Sequence, residues 1–221
     1  MNTYQDVRSN PNGRVHIRLL SEPYLDRTIA LIATLPFLWL AYYRYEHMKL
    51  GLPLLAFTAG VLILFVTMIV RRPPTRVTPN PLYWLLAFLA TYWGVFTVGF
   101  IQKGVSIAPE WAIQIVGLSS LAVIVWARLS LGRNIGFVPA QRRIVTTGAY
   151  AYVRHPIYTG LFLAYLALAF QAFSPRNVLI LSLGILWFVI KSIVEENFLR
   201  ADPEYAAYLN RVRARWIPFV L

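Results

Sequence analysis

The sequence predicts an all-α, polytopic membrane protein with about six apolar segments, five or six of them true spans. A cytoplasmic C-terminal helix follows, and both termini lie in the cytoplasm. Three observations predict this class. The 221 residues are 58% hydrophobic and 14% charged, where a soluble domain carries about a quarter charged residues. Apolar runs recur at close to the ~20 residues that a helix needs to cross a bilayer. Basic residues are concentrated in alternate connections, as the positive-inside rule requires.

Residues 1–27 are polar, hold Arg8, Arg14, Arg18 and Arg27, and contain no short apolar core, so they do not read as a signal peptide. The Gly13–Arg27 stretch has some amphipathic character; a surface helix and disorder are both open. Two apolar segments follow, Thr28–Tyr45 and Leu50–Val70. A stiff turn, Arg71-Arg72-Pro73-Pro74-Thr75-Arg76, leads to Pro81–Ile101 and then Pro109–Leu129. Residues 28–130 thus form a unit of four helices, and residues 131–221 form the second, chemically richer region. The Arg128–Arg154 connection is long. Segments five and six, Pro156–Phe173 and Asn177–Val194, are short and separated only by Ser174, Pro175 and Arg176. They predict a tight helical hairpin, which either spans fully or tucks against the other helices. In the tail, Asp202 suits a helix cap and Pro203 the first helical position. Tyr205, Tyr208, Leu209 and Val212 recur there at helical spacing.

With six spans, 17 of the 21 Lys and Arg residues fall on one side, leaving Arg44, Lys49, Lys103 and Arg176 on the other. The net charge of +12 therefore reads as a topology signal and an attraction to anionic lipids, not as a nucleic-acid surface. The absence of Cys excludes disulfides, thiol nucleophiles and Cys-ligated metals. His16, His47 and His155 show no metal-ligand spacing, so no metal is expected.

Three polar patches gather at the inner end of the last two segments. Arg154-His155-Pro156-Ile157-Tyr158-Thr159-Gly160 places a helix start, with its unpaired N–H groups, beside an arginine; this is a ready carboxylate or phosphate site. Gly160 permits close approach of a ligand or a helix. An interfacial anchor explains the same residues. Glu195-Glu196 is costly at a membrane edge unless paired or hydrated; it reads as a ligand-binding carboxylate, as an ion pair with Arg154 or Lys191, or as a solvated pair. The tail, with Tyr205, Tyr208, Arg211, Arg213, Arg215, Trp216 and Pro218, closes over a cofactor or lies on lipid.

Taken in order, Leu131-Gly132-Arg133-Asn134, Val145-Thr146-Thr147-Gly148-Ala149-Tyr150, Arg154 to Gly160, Glu195-Glu196-x-x-Leu199, Tyr205-x-x-Tyr208 and Ile217-Pro218 resemble the isoprenylcysteine carboxyl methyltransferase family. More distantly they are similar to membrane phospholipid methyltransferases. The resemblance covers the chain from about Leu131 onward; the first four segments carry no motif. One departure is that Ala201-Asp202-Pro203 stands where many members have a longer spacing with a Phe-Gly pair. The resemblance implies S-adenosylmethionine as methyl donor and a lipophilic acceptor entering from the bilayer, with the site facing the cytoplasm of a bacterial inner membrane or the ER. It implies cofactor contacts from Arg154, His155, Pro156, Tyr158 and Gly160, from Glu195 or Glu196, from Leu199, and from Tyr205 and Tyr208 as cover. It places Arg133 and Asn134 on the acceptor side.

Methyl transfer from a sulfonium is an in-line displacement that disperses charge, so the protein need mainly align the reactants and exclude water. A carboxylate acceptor requires no base; an amine or hydroxyl would use His155 or a glutamate. Two other readings stand beside this one. A membrane sterol or lipid reductase using NADPH shares a similar His-Pro-x-Tyr-x-Gly arrangement. A scaffold or transporter would instead place its charges near mid-span.

Overall fold

The computed structural model describes residues 23–47 and 52–218. Arg8, Arg14, His16 and Arg18, most of the amphipathic Gly13–Arg27 stretch, and Lys49 lie outside the described residues. Among the described residues there are seven α-helices: α1 (Pro23–His47), α2 (Leu52–Ile69), α3 (Pro81–Phe100), α4 (Glu110–Leu131), α5 (Pro156–Gln171), α6 (Pro175–Leu199) and α7 (Pro203–Arg211). Each of the six apolar runs forms a helix close to its expected place. Two of these helices, Glu110–Asn134 with its terminal 3-10 turn and Pro175–Leu199, are long and apolar enough to cross a membrane.

The count of five or six spans is not carried by these helices. With 16 residues, α5 rises only about 24 Å at 1.5 Å per residue, short of a ~30 Å hydrocarbon core. The expected short sixth segment is also corrected. Helix α6 has 25 residues and continues past Val194, so Glu195 and Glu196 lie within its last turns rather than beyond its end. The purely helical class needs one small amendment. Arg76–Val77 (β1) pairs antiparallel with Ala140–Gln141 (β2), which joins the proline-rich turn to the long Arg128–Arg154 connection.

The helix boundaries follow from local chemistry. Asn80 caps α3, with Pro81 in its first turn, by accepting a bond from Leu82 N at 3.0 Å. Ser174 caps α6, also with a proline at the start, by accepting from Asn177 N at 3.2 Å. Asp202 accepts from Glu204 N at 2.8 Å and starts α7 as expected. Such caps satisfy N–H groups that have no intrahelical partner.

Helix α1 lies on α2, α2 on α4, α4 on α5, and α3 on α6. The tightest of these contacts is α4 with α5. Ser120 Oγ donates to Gly160 O at 2.7 Å, and a Cβ on Gly160 would come within 2.5 Å of Ile124 Cγ1 and 3.0 Å of Ser120 O. Small residues let helices meet this closely without a hydrophobic driving force between them. At one end of the bundle, fully buried Asn177 bonds Gln102 O at 2.8 Å and Ala172 O at 2.7 Å and accepts from Gln102 N. It thereby fastens the α5–α6 hairpin to the end of α3.

The other end collects the described parts of all four basic segments. The guanidinium of Arg71 clasps Asp26 at the start of α1, with Nε to Oδ2 at 2.6 Å, and Arg142 Nη2 lies 3.7 Å from the same carboxylate. Arg72 N donates to Arg133 O at 2.7 Å. Arg76 Nη2 donates to Phe198 O at 2.9 Å. Arg154 Nη2 reaches Arg213 O at 3.1 Å. These contacts gather residues of the four segments at one end of the bundle, built from the ends of α1–α6 and from α7.

Candidate active site

The C-terminal strap packs against the start of α5. Arg154 N and His155 N donate to Ala214 O and Arg215 O, both at 3.0 Å, and Thr159 Oγ1 donates to Trp216 O at 2.5 Å. Pro156 contributes no N–H. The strap of residues 212–218 therefore holds the two N–H groups that precede the helix and the Thr159 hydroxyl, while Tyr158 N and Thr159 N donate to His155 O at 3.0 and 3.1 Å.

Beneath that strap lies Glu196, 1% exposed. Its carboxylate accepts from Arg215 Nε at 3.1 Å and Nη2 at 3.0 Å. It lies 3.2 Å from Arg154 Nη1 and 3.0 Å from His155 Nε2. Two guanidiniums and an imidazole thus surround one acid. A buried carboxylate at this depth is stable only because it is paired and hydrogen-bonded on both oxygens.

Glu195, one residue earlier, is turned about 100° around the helix and faces a different space. Tyr158 OH donates to its Oε2 at 2.8 Å. Lys191 Nζ lies 3.8 Å from Oε1 and donates to Thr91 Oγ1 at 3.1 Å. His155 Nδ1 is 3.9 Å from Oε2, so the imidazole sits between the two acids. The His155 ring stacks on that of Tyr158 at 5.3 Å and 3°, and Phe188 packs against the far side of Tyr158 at 5.0 Å.

Glu195 and Tyr158 open onto a cavity of about 1000 Å³. Its polar end is walled by Arg154, His155, Leu199, Tyr150, Tyr205 and Tyr208, and by Asn134. It continues between apolar positions of α2, α4 and α5, such as Leu64, Leu121, Ile124 and Leu161. Both tail tyrosines are buried, and Tyr208 OH donates to Tyr150 O at 2.8 Å. Burial pushes the Tyr150, Tyr205 and Tyr208 phenols well up. All three are therefore neutral through the physiological range. The space is of the size typical for ligand sites, with a few convergent polar groups on a mostly apolar wall.

The expected site residues divide accordingly. Arg154, His155, Tyr158, Glu195, Leu199, Tyr205, Tyr208 and Asn134 share the cavity wall, whereas Pro156, Gly160, Glu196 and Arg133 are not part of it. Gly160 is spent on the α4–α5 contact. Arg133 is exposed and donates from Nε to Val70 O at 2.6 Å. Asn134 donates to Leu131 O at 3.1 Å, while its Oδ1 is buried with no partner. Among the polar wall residues not singled out as site residues from the sequence are Tyr150, Lys191, Arg128, Arg142 and Arg143. Lys191 carried a signal, as a lone cation four residues before the acid pair within an apolar run.

Helices α4, α5 and α6 with the intervening connection supply much of this wall, and the same stretch carries a family signature. Residues 111–202 match the model of the phospholipid methyltransferase family. That family is a relative of the isoprenylcysteine type which the motifs resemble. The match points to a membrane methyltransferase acting on lipid. It begins in α4 and ends at the α7 cap, so it takes in Arg154 to Gly160 and both glutamates and leaves the strap outside. No curated protein matches the chain.

Proposed function

We propose that the protein is an integral-membrane methyltransferase that moves a methyl group from S-adenosylmethionine to a lipophilic acceptor, of the isoprenylcysteine carboxylate type or another lipid. The observation that carries this reading is the cavity itself. One end presents a carboxylate and phenol rings, most of the remaining wall is apolar, and α4, α5 and α6 of the methyltransferase-matching region contribute to both parts. A water-soluble donor and a lipid acceptor need two such environments that meet.

The residues present fit the donor. Glu195 keeps acceptor capacity beyond its bond from Tyr158, enough for ribose hydroxyls or an amine. The rings of Tyr158, Tyr205 and Tyr208 offer π faces to a cation. The donor, when bound, supplies an electrophilic methyl on a sulfonium. The chain's own part is to hold Glu195 in place through Tyr158 and Lys191, to exclude water with the strap and α7, and to admit the acceptor along the apolar wall. With an amine or hydroxyl acceptor, Glu195 or His155 is placed to receive its proton; a carboxylate acceptor needs no such step. Residues 131–221 act as the cofactor-binding region, and the basic end of the bundle faces the cytoplasm, drawn to anionic lipid.

Tryptophan fluorescence of the purified chain tests the reading. Quenching on addition of S-adenosylhomocysteine, with none on addition of NADPH, is the expected outcome. Quenching by NADPH alone would make the protein a reductase instead.

A further inference from the structure

We propose that Arg128 is the specificity residue of the acceptor channel: its guanidinium binds an oxyanion, phosphodiester or carboxylate, on the lipid that occupies the cavity. The inference rests on the methyltransferase reading for the word acceptor, but not for the binding itself. Of the basic side chains on the cavity wall, Arg142, Arg154 and Lys191 each have a carboxylate within 4 Å, and Arg143 is exposed. Arg128 differs from all of them. It projects from the last turns of α4, a membrane-crossing helix by length and apolarity. Its Nη1 donates to Gly60 O at 2.5 Å, its Nε is buried without a partner, and no carboxylate among the described residues pairs with it.

An unpaired guanidinium at such depth is costly. The Gly60 carbonyl fixes its position and leaves its remaining donors for a planar oxyanion, which a guanidinium binds bidentately. Tyr150 lies within electrostatic reach of both Arg128 and Glu195, so Arg128 belongs to the same polar end as the donor-side carboxylate. A lipid whose tails lie between α2, α4 and α5 would bring its headgroup oxyanion there. A lipid with an uncharged head would leave the guanidinium buried and unpaired, and so would be rejected.

Full-length protein in detergent is titrated with brominated forms of three probes, and tryptophan quenching is read. The probes are dioleoyl phosphatidylethanolamine, oleate and dioleoylglycerol. The wild type is expected to bind at least one oxyanion lipid about tenfold or more tighter than dioleoylglycerol, the size of one charge-assisted hydrogen bond. Equal binding of all three overturns the proposal without recourse to any variant. Whichever oxyanion lipid binds tighter identifies phosphodiester or carboxylate as the preferred group. Displacement of that lipid by millimolar inorganic phosphate would make this a site for a soluble anion and overturn the lipid assignment. Arg128→Gln is expected to abolish the preference and Arg128→Lys to keep part of it, while exposed Arg200→Gln changes nothing. An unchanged preference in Arg128→Gln contradicts the proposal. S-adenosylhomocysteine titration of the same samples separates the two ideas: its failure with the wild type defeats the methyltransferase reading alone.

Discussion

Glu195 and Glu196 are neighbours in sequence and belong to different regions of the molecule. Glu196 points under the C-terminal strap, where Arg154, His155 and Arg215 consume both of its oxygens. Glu195 points into the cavity, where Tyr158 takes one oxygen and Lys191 stands 3.8 Å from the other. On the strap side both oxygens of the acid are taken up by cations, so these groups tie the strap to the bundle. The cavity side is held in place yet keeps acceptor capacity, as a binding site must. One step along a helix separates an acid buried in ion pairs from one that faces the cavity.

The comparison breaks most decisively at Glu196. Glu196→Ala leaves two guanidiniums facing each other in a buried place. We expect a loss of about 3 kcal/mol or more of stability, read as a lower melting temperature and faster proteolysis of residues 212–221. Full stability with lost ligand binding would assign Glu196 to the site. Glu195→Gln should do the reverse: it lowers the melting temperature less than Glu196→Ala, because Lys191 keeps its bond to Thr91, and it weakens S-adenosylhomocysteine binding by about 10- to 100-fold, the size of a hydrogen bond to a charged group. Gly160→Ala tests the α4–α5 seam away from both acids. Its methyl would meet Ile124 and the Ser120 carbonyl, at a cost of about 1–3 kcal/mol in a thermal melt. Tyr158→Phe removes one bond to Glu195 and should cut ligand affinity by about fivefold, or ~1 kcal/mol, with the fold intact. Exposed Arg176, at the opposite end, should tolerate Gln within about 0.5 kcal/mol and without change in methyl transfer.

Much of this architecture was legible in the sequence because the signals are local. Apolar runs bounded by prolines placed α3 and α5 to within about two residues, and Asp202-Pro203 marked the start of α7. The contacts Asp26–Arg71 and Arg76–Phe198, which tie α1, the proline-rich turn and α6 together, join residues too far apart in sequence to be legible. Rotation and distance were not legible. Nothing local distinguishes Glu195 from Glu196, because their difference lies in what packs against each side of α6. Gly160 reads equally as room for a ligand or for a helix, and only the position of Ser120 and Ile124 decides. The β1–β2 ribbon is two residues per strand, too short for an alternating pattern. In the sequence Arg128 is one more cytoplasmic charge; only the packing of α2 on α4 sets it on the cavity wall without a carboxylate among the described residues.

The most direct test of the central claim is transfer of labelled methyl from S-adenosylmethionine into the lipid extract of membranes holding the protein, run beside Glu195→Gln at equal protein level. The account predicts label in a lipid product from the wild type, identified by mass, and at least about a tenfold loss in the variant. Label no higher than in membranes lacking the protein, or label undiminished in Glu195→Gln, would contradict it.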